Sequence, residues 1–429
     1  MKVRGTTLLL GALTSLVTPP VAAIDFAASG FGTVGYARSD RSYGYQRFID
    51  DGGTFWRDSV AGLQVDARFA DKFGATAQFK LAPAANNDNE FKGTVSWAFL
   101  SWRPTNDWLL RAGKQRIPLY LYSQTVDVGV TYDFARLPTE MYSISPNNEL
   151  VGLSFAKTWG LADGELSVDA FLGKFKGDFR FWLRDDIPPV QISGPLYVPE
   201  DIRGGGLVLA YKRNENTYRI GLSRVIAELR DGSPFPTTYP FVTLAPGFGY
   251  YQVNDALLGP GVPTRDSLTV TVVTLGMEQD IGSGFRVISE LARTFIPDTD
   301  VSVASTRGYV SLLKRADNWT PYVTYAFLRS QPHVRNLYNN VNYNTVPDFI
   351  PGAALINASQ RSGADHSFAY DQSSWAIGTS YAFSATSKLK AEFMRTHVGQ
   401  MSTLVDAPSG GNVRDQNINV FSLNYNFVF

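Results

Sequence analysis

The hydrophobic and polar positions of this chain alternate with a period of two, in run after run. Between Ala61 and Phe69, the residues Ala61, Leu63, Val65, Ala67 and Phe69 share one face, and Gly62, Gln64, Asp66 and Arg68 share the other. After Ala70-Asp71-Lys72 the pattern resumes, with Phe73, Ala75, Ala77, Phe79 and Leu81 opposite Gly74, Thr76, Gln78 and Lys80. Tyr218, Ile220 and Leu222 are set apart in the same way from Arg219, Gly221 and Ser223, and Leu389, Ala391 and Phe393 from Lys388, Lys390 and Glu392. Side chains of a strand point alternately to its two faces, so each run reads as a strand with one apolar and one wet side. Such runs fall near 26–38, 57–70, 73–82, 92–103, 107–117, 148–158, 165–176, 203–212, 217–228, 268–279, 285–296, 306–315, 319–330, 373–383, 388–397 and 417–429. That makes sixteen, an even number, as a closed antiparallel barrel in a bacterial outer membrane requires. No helical period is read anywhere in the chain.

The connections sort by length. Ala70–Lys72, Pro104–Asn106, Trp159–Gly164, Arg213–Asn216, Asp280–Gly284, Ala316–Asn318 and Ser384–Ser387 are short. Ser39–Trp56, Ile117–Asn147, Gly177–Ile202, Leu229–Ser267 and Ser330–Gln372 are long. Alternating short and long connections match tight periplasmic turns and long external loops. The last run, Phe421 to Phe429, keeps its apolar residues at odd positions and ends on an aromatic ring. Such a strand can close against the first and leave no unpaired edge in lipid. The expected fold is therefore an all-β transmembrane antiparallel barrel of about sixteen strands. A secreted β-sandwich or β-solenoid is the soluble competitor.

Composition narrows the reading further. Aromatic residues make up 13%, with 28 Phe and 21 Tyr, beside 38 Gly, yet the mean hydropathy is −0.11. Many aromatics with a polar average suit a sheet facing lipid on one side and water on the other. Trp102, Trp108, Trp159, Tyr381 and Phe383 flank short turns and are expected in the periplasmic aromatic belt. The N-terminus combines Lys2 and Arg4, an apolar run to Val17, and Val21-Ala22-Ala23. That order of parts predicts a secretory leader over 1–23 and a barrel over 24–429. Lys+Arg and Asp+Glu are equal at 39 each, so no basic field exists to attract nucleic acid. Cysteine is absent, which excludes disulfides and thiolate chemistry. His333, His366 and His397 show no paired metal-ligand spacing, and no metal or cofactor is expected. His397 with Ser402 or Asp406 is the one arrangement that an outer-membrane hydrolase would use. Gly30-Phe31-Gly32-Thr33-Val34-Gly35 fits a dinucleotide-binding string, but it lies inside a strand with no helix after it.

The segment 117–147 carries more apolar residues than an exposed loop needs: Leu119, Leu121, Val126, Val128, Val130, Phe134 and Leu137. Loops of this length without their own structure are usually functional. Two placements are open, folded into the lumen or packed outside as a cap. Inward-facing Arg68, Lys80, Arg111 and Arg116 would then meet Asp127, Asp133, Arg136 and Glu140 of the loop. A basic wall opposite an acidic loop creates a transverse field in a pore. The same residues could instead only pair in a wet lumen, and a register slip of one residue would exchange the faces.

On these residues the chain resembles the general Gram-negative porins, and within them a little-characterised porin-like branch. The run Arg111-Ala112-Gly113-Lys114-Gln115-Arg116-Ile117-Pro118-Leu119 carries the resemblance, with Asp127-Val128-Gly129-Val130-Thr131-Tyr132-Asp133 and Arg136-Leu137-Pro138-Thr139-Glu140-Met141-Tyr142. In that family the third loop, after strand five, folds into the barrel and narrows it. It carries an acid beside a proline; here Thr139 stands between Pro138 and Glu140. The resemblance implies a non-enzymatic channel for small polar solutes and ions. It also implies a homotrimer in contact with outer-membrane lipid and lipopolysaccharide, with Pro83–Phe91 as the latch between subunits. A channel selective for one solute class, such as small carboxylates, is the alternative, and an outer-membrane enzyme a further one.

Overall fold

The computed structural model describes residues 24–429 apart from 145–148, 189–190 and 298. The expected leader, 1–23, and the last residues of the expected loop, 145–147, lie outside the described residues. Sixteen antiparallel strands close into one barrel in sequence order. They are β1 (Asp25–Ser39), β2 (Val60–Ala70), β3 (Phe73–Pro83), β4 (Phe91–Trp102), β5 (Trp108–Arg116), β6 (Glu149–Leu161), β7 (Gly164–Leu183), β8 (Gly194–Arg213), β9 (Asn216–Leu229), β10 (Leu268–Gly282), β11 (Phe285–Phe295), β12 (Ser305–Lys314), β13 (Trp319–Ser330), β14 (Tyr370–Ser384), β15 (Ser387–Ser402) and β16 (Gln416–Val428). The chain ends close the ring: β1 pairs with β16 from Phe31↔Val428 to Ser39↔Val420. The Gly30 and Phe429 backbones exchange hydrogen bonds of 2.8 and 3.0 Å. Gly30 and Gly32 leave room for the rings of Phe429 and Phe427, which any β-carbon would overlap.

The two faces are sorted as the alternation requires. Leu63, Val65, Phe79, Leu81, Leu207, Ile220, Leu222, Phe393 and Leu423 stand exposed on the outside. The opposite face of β2 and β3 is a polar network, in which Gln64 donates to Asp66 (2.7 Å), Thr76 to Asp66 (2.6 Å) and Gln78 to Gln64 (3.0 Å). Apolar outside and polar inside is the inverse of a soluble protein and fits a lipid-facing wall. Trp102, Trp108, Trp159, Tyr381 and Phe383 all sit at the short-turn end. There, Phe73–Trp102, Trp108–Phe155, Trp319–Tyr381, Tyr381–Phe383 and Phe383–Tyr425 contacts make a belt.

Besides two small two-stranded sheets within the connection expected over Leu229–Ser267, three features depart from the sequence expectation. First, β7 and β8 are 20 residues each, so the connection expected over Gly177–Ile202 shrinks to 184–193. The hairpin rises past β9, whose pairing with β8 reaches only Glu200, and Pro195 and Pro199 are tolerated on that free edge. Second, helices are present: α1 (Thr139–Tyr142), α2 (Pro332–Tyr343) and α3 (Ala353–Asp365). Only Val334, Leu337 and Val341 give α2 an apolar stripe, and α3 buries Ser359, Gln360, Gly363 and Ala364. A face of small and polar residues escapes a search for hydrophobic period. Third, the first loop also turns inward: Tyr45 and Ile49 are fully buried, and the Tyr45 hydroxyl lies 3.0 Å from Thr396 on the inner wall. The segment expected as a latch lies against its own rim, where Asp88 accepts from Arg47 (2.6 Å), Arg180 (2.9 Å) and Tyr197 (2.6 Å).

Candidate functional site

The loop after β5 crosses the lumen, and its backbone is tied to walls far from its origin. Arg219 on β9 donates to the carbonyls of Pro118 (2.6 Å) and Tyr120 (2.7 Å). Glu290 on β11 accepts from the Leu121 N–H at 2.7 Å, and from Tyr142 and Tyr309. Tyr322 on β13 accepts from the Ala135 N–H at 2.9 Å. Lys390 on β15 is fully buried and donates to the carbonyls of Gly129 (2.6 Å) and Phe134 (2.9 Å), its ammonium 4.0 Å from the Tyr132 ring. Asn424 on β16 donates to Ala135 O at 2.6 Å. Apolar residues fill the space between loop and wall: Leu119, Tyr120, Phe134 and Met141 pack on Ile288, Tyr309, Leu313 and Tyr322. The loop's excess of apolar residues thus has a partner surface inside the barrel.

The charged residues are distributed as follows. Lys80 (β3) and Arg116 (end of β5) converge on Asp127 at 3.2 and 2.6 Å. Lys114 and Glu149, 2.7 Å apart, extend this cluster. Burial opposes ionisation of Asp127, but the two cations beside it outweigh that and hold its carboxyl below the ordinary value. Asp133 meets the other side of the barrel, 2.8 Å from both Arg286 and Lys388. Its burial is likewise outweighed, first by Lys388, and its pKa is lowered. Arg136 forms a two-pronged pair with Asp58, one arm at 2.9 Å. Arg111 stands over the Phe99 ring at 5.2 Å and lines a recess with Arg116 beneath the loop. Arg68 is exposed on the inward face of β2 near the short turn.

Glu140 is placed differently from the reading that set it in the pore lining. It is fully buried, accepts from Gln372 at 2.8 Å, and has no partner for its second oxygen among the described residues. Burial raises its pKa. The reason is local: Thr139 to Tyr142 wind into α1, which packs against β12 and β13. The structure therefore joins Lys80, Arg116 and Asp127, and separates Asp133, Arg136 and Glu140 into other contacts. Residues that the sequence reading passed over carry much of the site: Asp58, Glu290, Arg286, Lys388 and Lys390. Lys388 and Lys390 were visible as inward-facing in the alternation, but their partners were not. His397 lies 3.7 Å from Asp415, while Ser402 donates to Gln372 and Asp406 is held by Arg180, so the hydrolase arrangement is not assembled.

Solved structures share this architecture. A loop-deletion form of OmpT, an outer membrane protein of Vibrio cholerae, matches over 95% of this chain and 100% of its own, with 12% identity and a TM-score of 0.50. An anion-selective porin from Comamonas acidovorans matches over 95% of this chain and 100% of its own, with 11% identity and a TM-score of 0.50. The chain shares the barrel fold of these structures. At these identities the likeness concerns the path of the chain alone. No protein-family model and no characterised protein sequence matches this chain.

Proposed function

We propose that this chain is an outer-membrane porin, a passive and non-enzymatic channel for small polar solutes and ions. The observation that carries this reading is the third loop, which crosses the barrel and is anchored to strands on opposite sides. Such a loop reduces the water-filled section without sealing the barrel to a lipid-soluble plug, and a passive pore selects by the width and charge of that section. In this reading the passage runs beside the Lys80–Arg116–Asp127 cluster, with Arg111 and Arg68 on the same inner wall. Arg136 and Glu140 act as anchors of the loop. The leader over 1–23 would export the chain to the Gram-negative outer membrane. There its apolar outer face meets lipid and lipopolysaccharide, and three copies assemble.

Reconstitution in planar bilayers tests the reading. Stepwise conductance that rises in proportion to salt concentration, with swelling of vesicles in small neutral sugars, is the expected result. A correctly folded barrel that inserts and passes no current would end it.

A further inference from the structure

A cavity of about 430 Å³ opens above the crossing loop, between the first loop, the third loop and the β7–β8 hairpin. Four arginines border it: Arg47, Arg57, Arg136 and Arg180. Three of them are neutralised, Arg47 by Asp88, Arg136 by Asp58, and Arg180 by Asp88 and Asp406. Arg57 differs. Among the described residues its hydrogen bonds run to neutral groups, the Gln46 amide oxygen (3.3 Å) and the Ser143 hydroxyl (3.2 Å), and the only carboxylate charge acting on it is that of Asp58, which is already bonded to Arg136. Two further donors on the cavity border, Gln46 Nε2 and Arg136 Nη1, are buried with no acceptor among the described residues. Gln46 is 4% exposed and Arg136 8%. One orphaned acceptor, the Asn424 amide oxygen, borders the same space, so the surplus is of donors. Unpaired buried donors are rare in folded proteins and mark places where an acceptor is missing. The rest of the wall is mixed: Phe48, Val126, Phe179 and Phe368 form an apolar and aromatic side, and Asp58, Asp127 and Asp178 border the same space beside hydroxyl and amide groups.

We infer that this cavity is a binding station for a small organic monoanion, a carboxylate on an apolar or aromatic body, seated on Arg57. The inference rests on the porin reading and sharpens it from a general pore to one with a preferred solute class. A planar guanidinium matches a carboxylate with two parallel N–H···O bonds. The aromatic wall would shelter the body of the solute, which a small inorganic ion cannot use. The cavity reaches from the long-loop end down to Asp127 of the Lys80–Arg116–Asp127 section, so a bound solute sits directly at the entry to that section.

Benzoate and its neutral isostere benzamide are the probes, with calorimetry on the full barrel folded in detergent as the binding readout. Wild-type protein is expected to bind benzoate at least about tenfold more tightly than benzamide. Arg57→Gln is expected to abolish that preference, and Arg57→Lys, which keeps the charge but loses the fork, to restore part of it. Equal binding of the two probes by wild type overturns the inference without needing any variant to fold. So does a folded Arg57→Gln barrel with undiminished benzoate affinity. Conductance is measured separately, so a barrel that binds benzoate but carries no current refutes the porin reading and not the site.

Discussion

Arg136 and Asp58 meet where the third loop touches the entry to β2, and their side chains are only 6% and 9% exposed. Removing one member of such a pair leaves an uncompensated buried charge, at a cost of about 3–5 kcal/mol. Asp58→Asn should therefore lower the urea midpoint of the detergent-folded barrel substantially; a shift equivalent to less than about 1 kcal/mol, the range of a solvated surface pair, would show that the pair is not holding the loop. Glu140 gives a pH dependence of opposite origin. Burial raises its folded pKa above the ordinary 4.5, so the folded barrel holds the proton more tightly than the unfolded chain. Stability from this group is complete below pH 4.5, declines as pH rises toward the raised folded value, and then levels off. Glu140→Gln keeps an acceptor for Gln372 and removes the titration. Wild type should lose stability relative to this variant as pH rises through that window, and parallel pH profiles would refute the assignment. Arg136 and Glu140 could be singled out from the sequence because they are charges in an apolar loop. Asp58 and Gln372 could not, because nothing in their own neighbourhoods points to a partner 78 or 232 positions away.

At the scale of elements, the third loop was legible in outline. Its length and its apolar excess over 117–147 foretold a buried surface, and the lumen supplies one. Excising Tyr120 to Met141 and bridging the ends with a short Gly/Ser link should raise single-channel conductance; an unchanged value would mean that the loop does not set the narrowest section. The anchoring of the loop was not legible. Lys390 holds two loop carbonyls 261 and 256 positions earlier in the chain, and an inward lysine on a strand looks the same whether it meets water or a carbonyl. The outer parts of β7 and β8 were hidden by Gly177, Pro195 and Pro199, which read as loop but are tolerated above the neighbouring strand. Helices α2 and α3 were hidden because their buried faces carry few large apolar residues. Such short segments gain most of their helicity from tertiary packing rather than from propensity.

For the whole molecule, register creates a feature that no single strand displays. Gly113 pairs with Gly152, Gly152 with Gly173, and Gly173 with Gly204, so four glycines form a row across β5 to β8. A β-carbon on Gly152 would lie 2.1 Å from Leu172 O, and one on Gly173 2.4 Å from Val151 O. The obstacle is backbone, which cannot swing aside. By strand propensity Gly173→Val should stabilise; the row predicts the reverse, a loss of about 1–3 kcal/mol or failure to close. A urea midpoint at or above that of wild type would refute it. The alternation of apolar and polar residues by itself determined that the chain forms strands, that each has a lipid and a water side, and that the sheet must close, because side-chain period is a property of neighbouring residues. Only the tertiary structure decided which inward charges meet, which glycines align, which cavity arginine makes no direct ion pair among the described residues and how far the loops fill the lumen. Those outcomes depend on register and on contacts between residues hundreds of positions apart, and local sequence carries no record of distance around a ring.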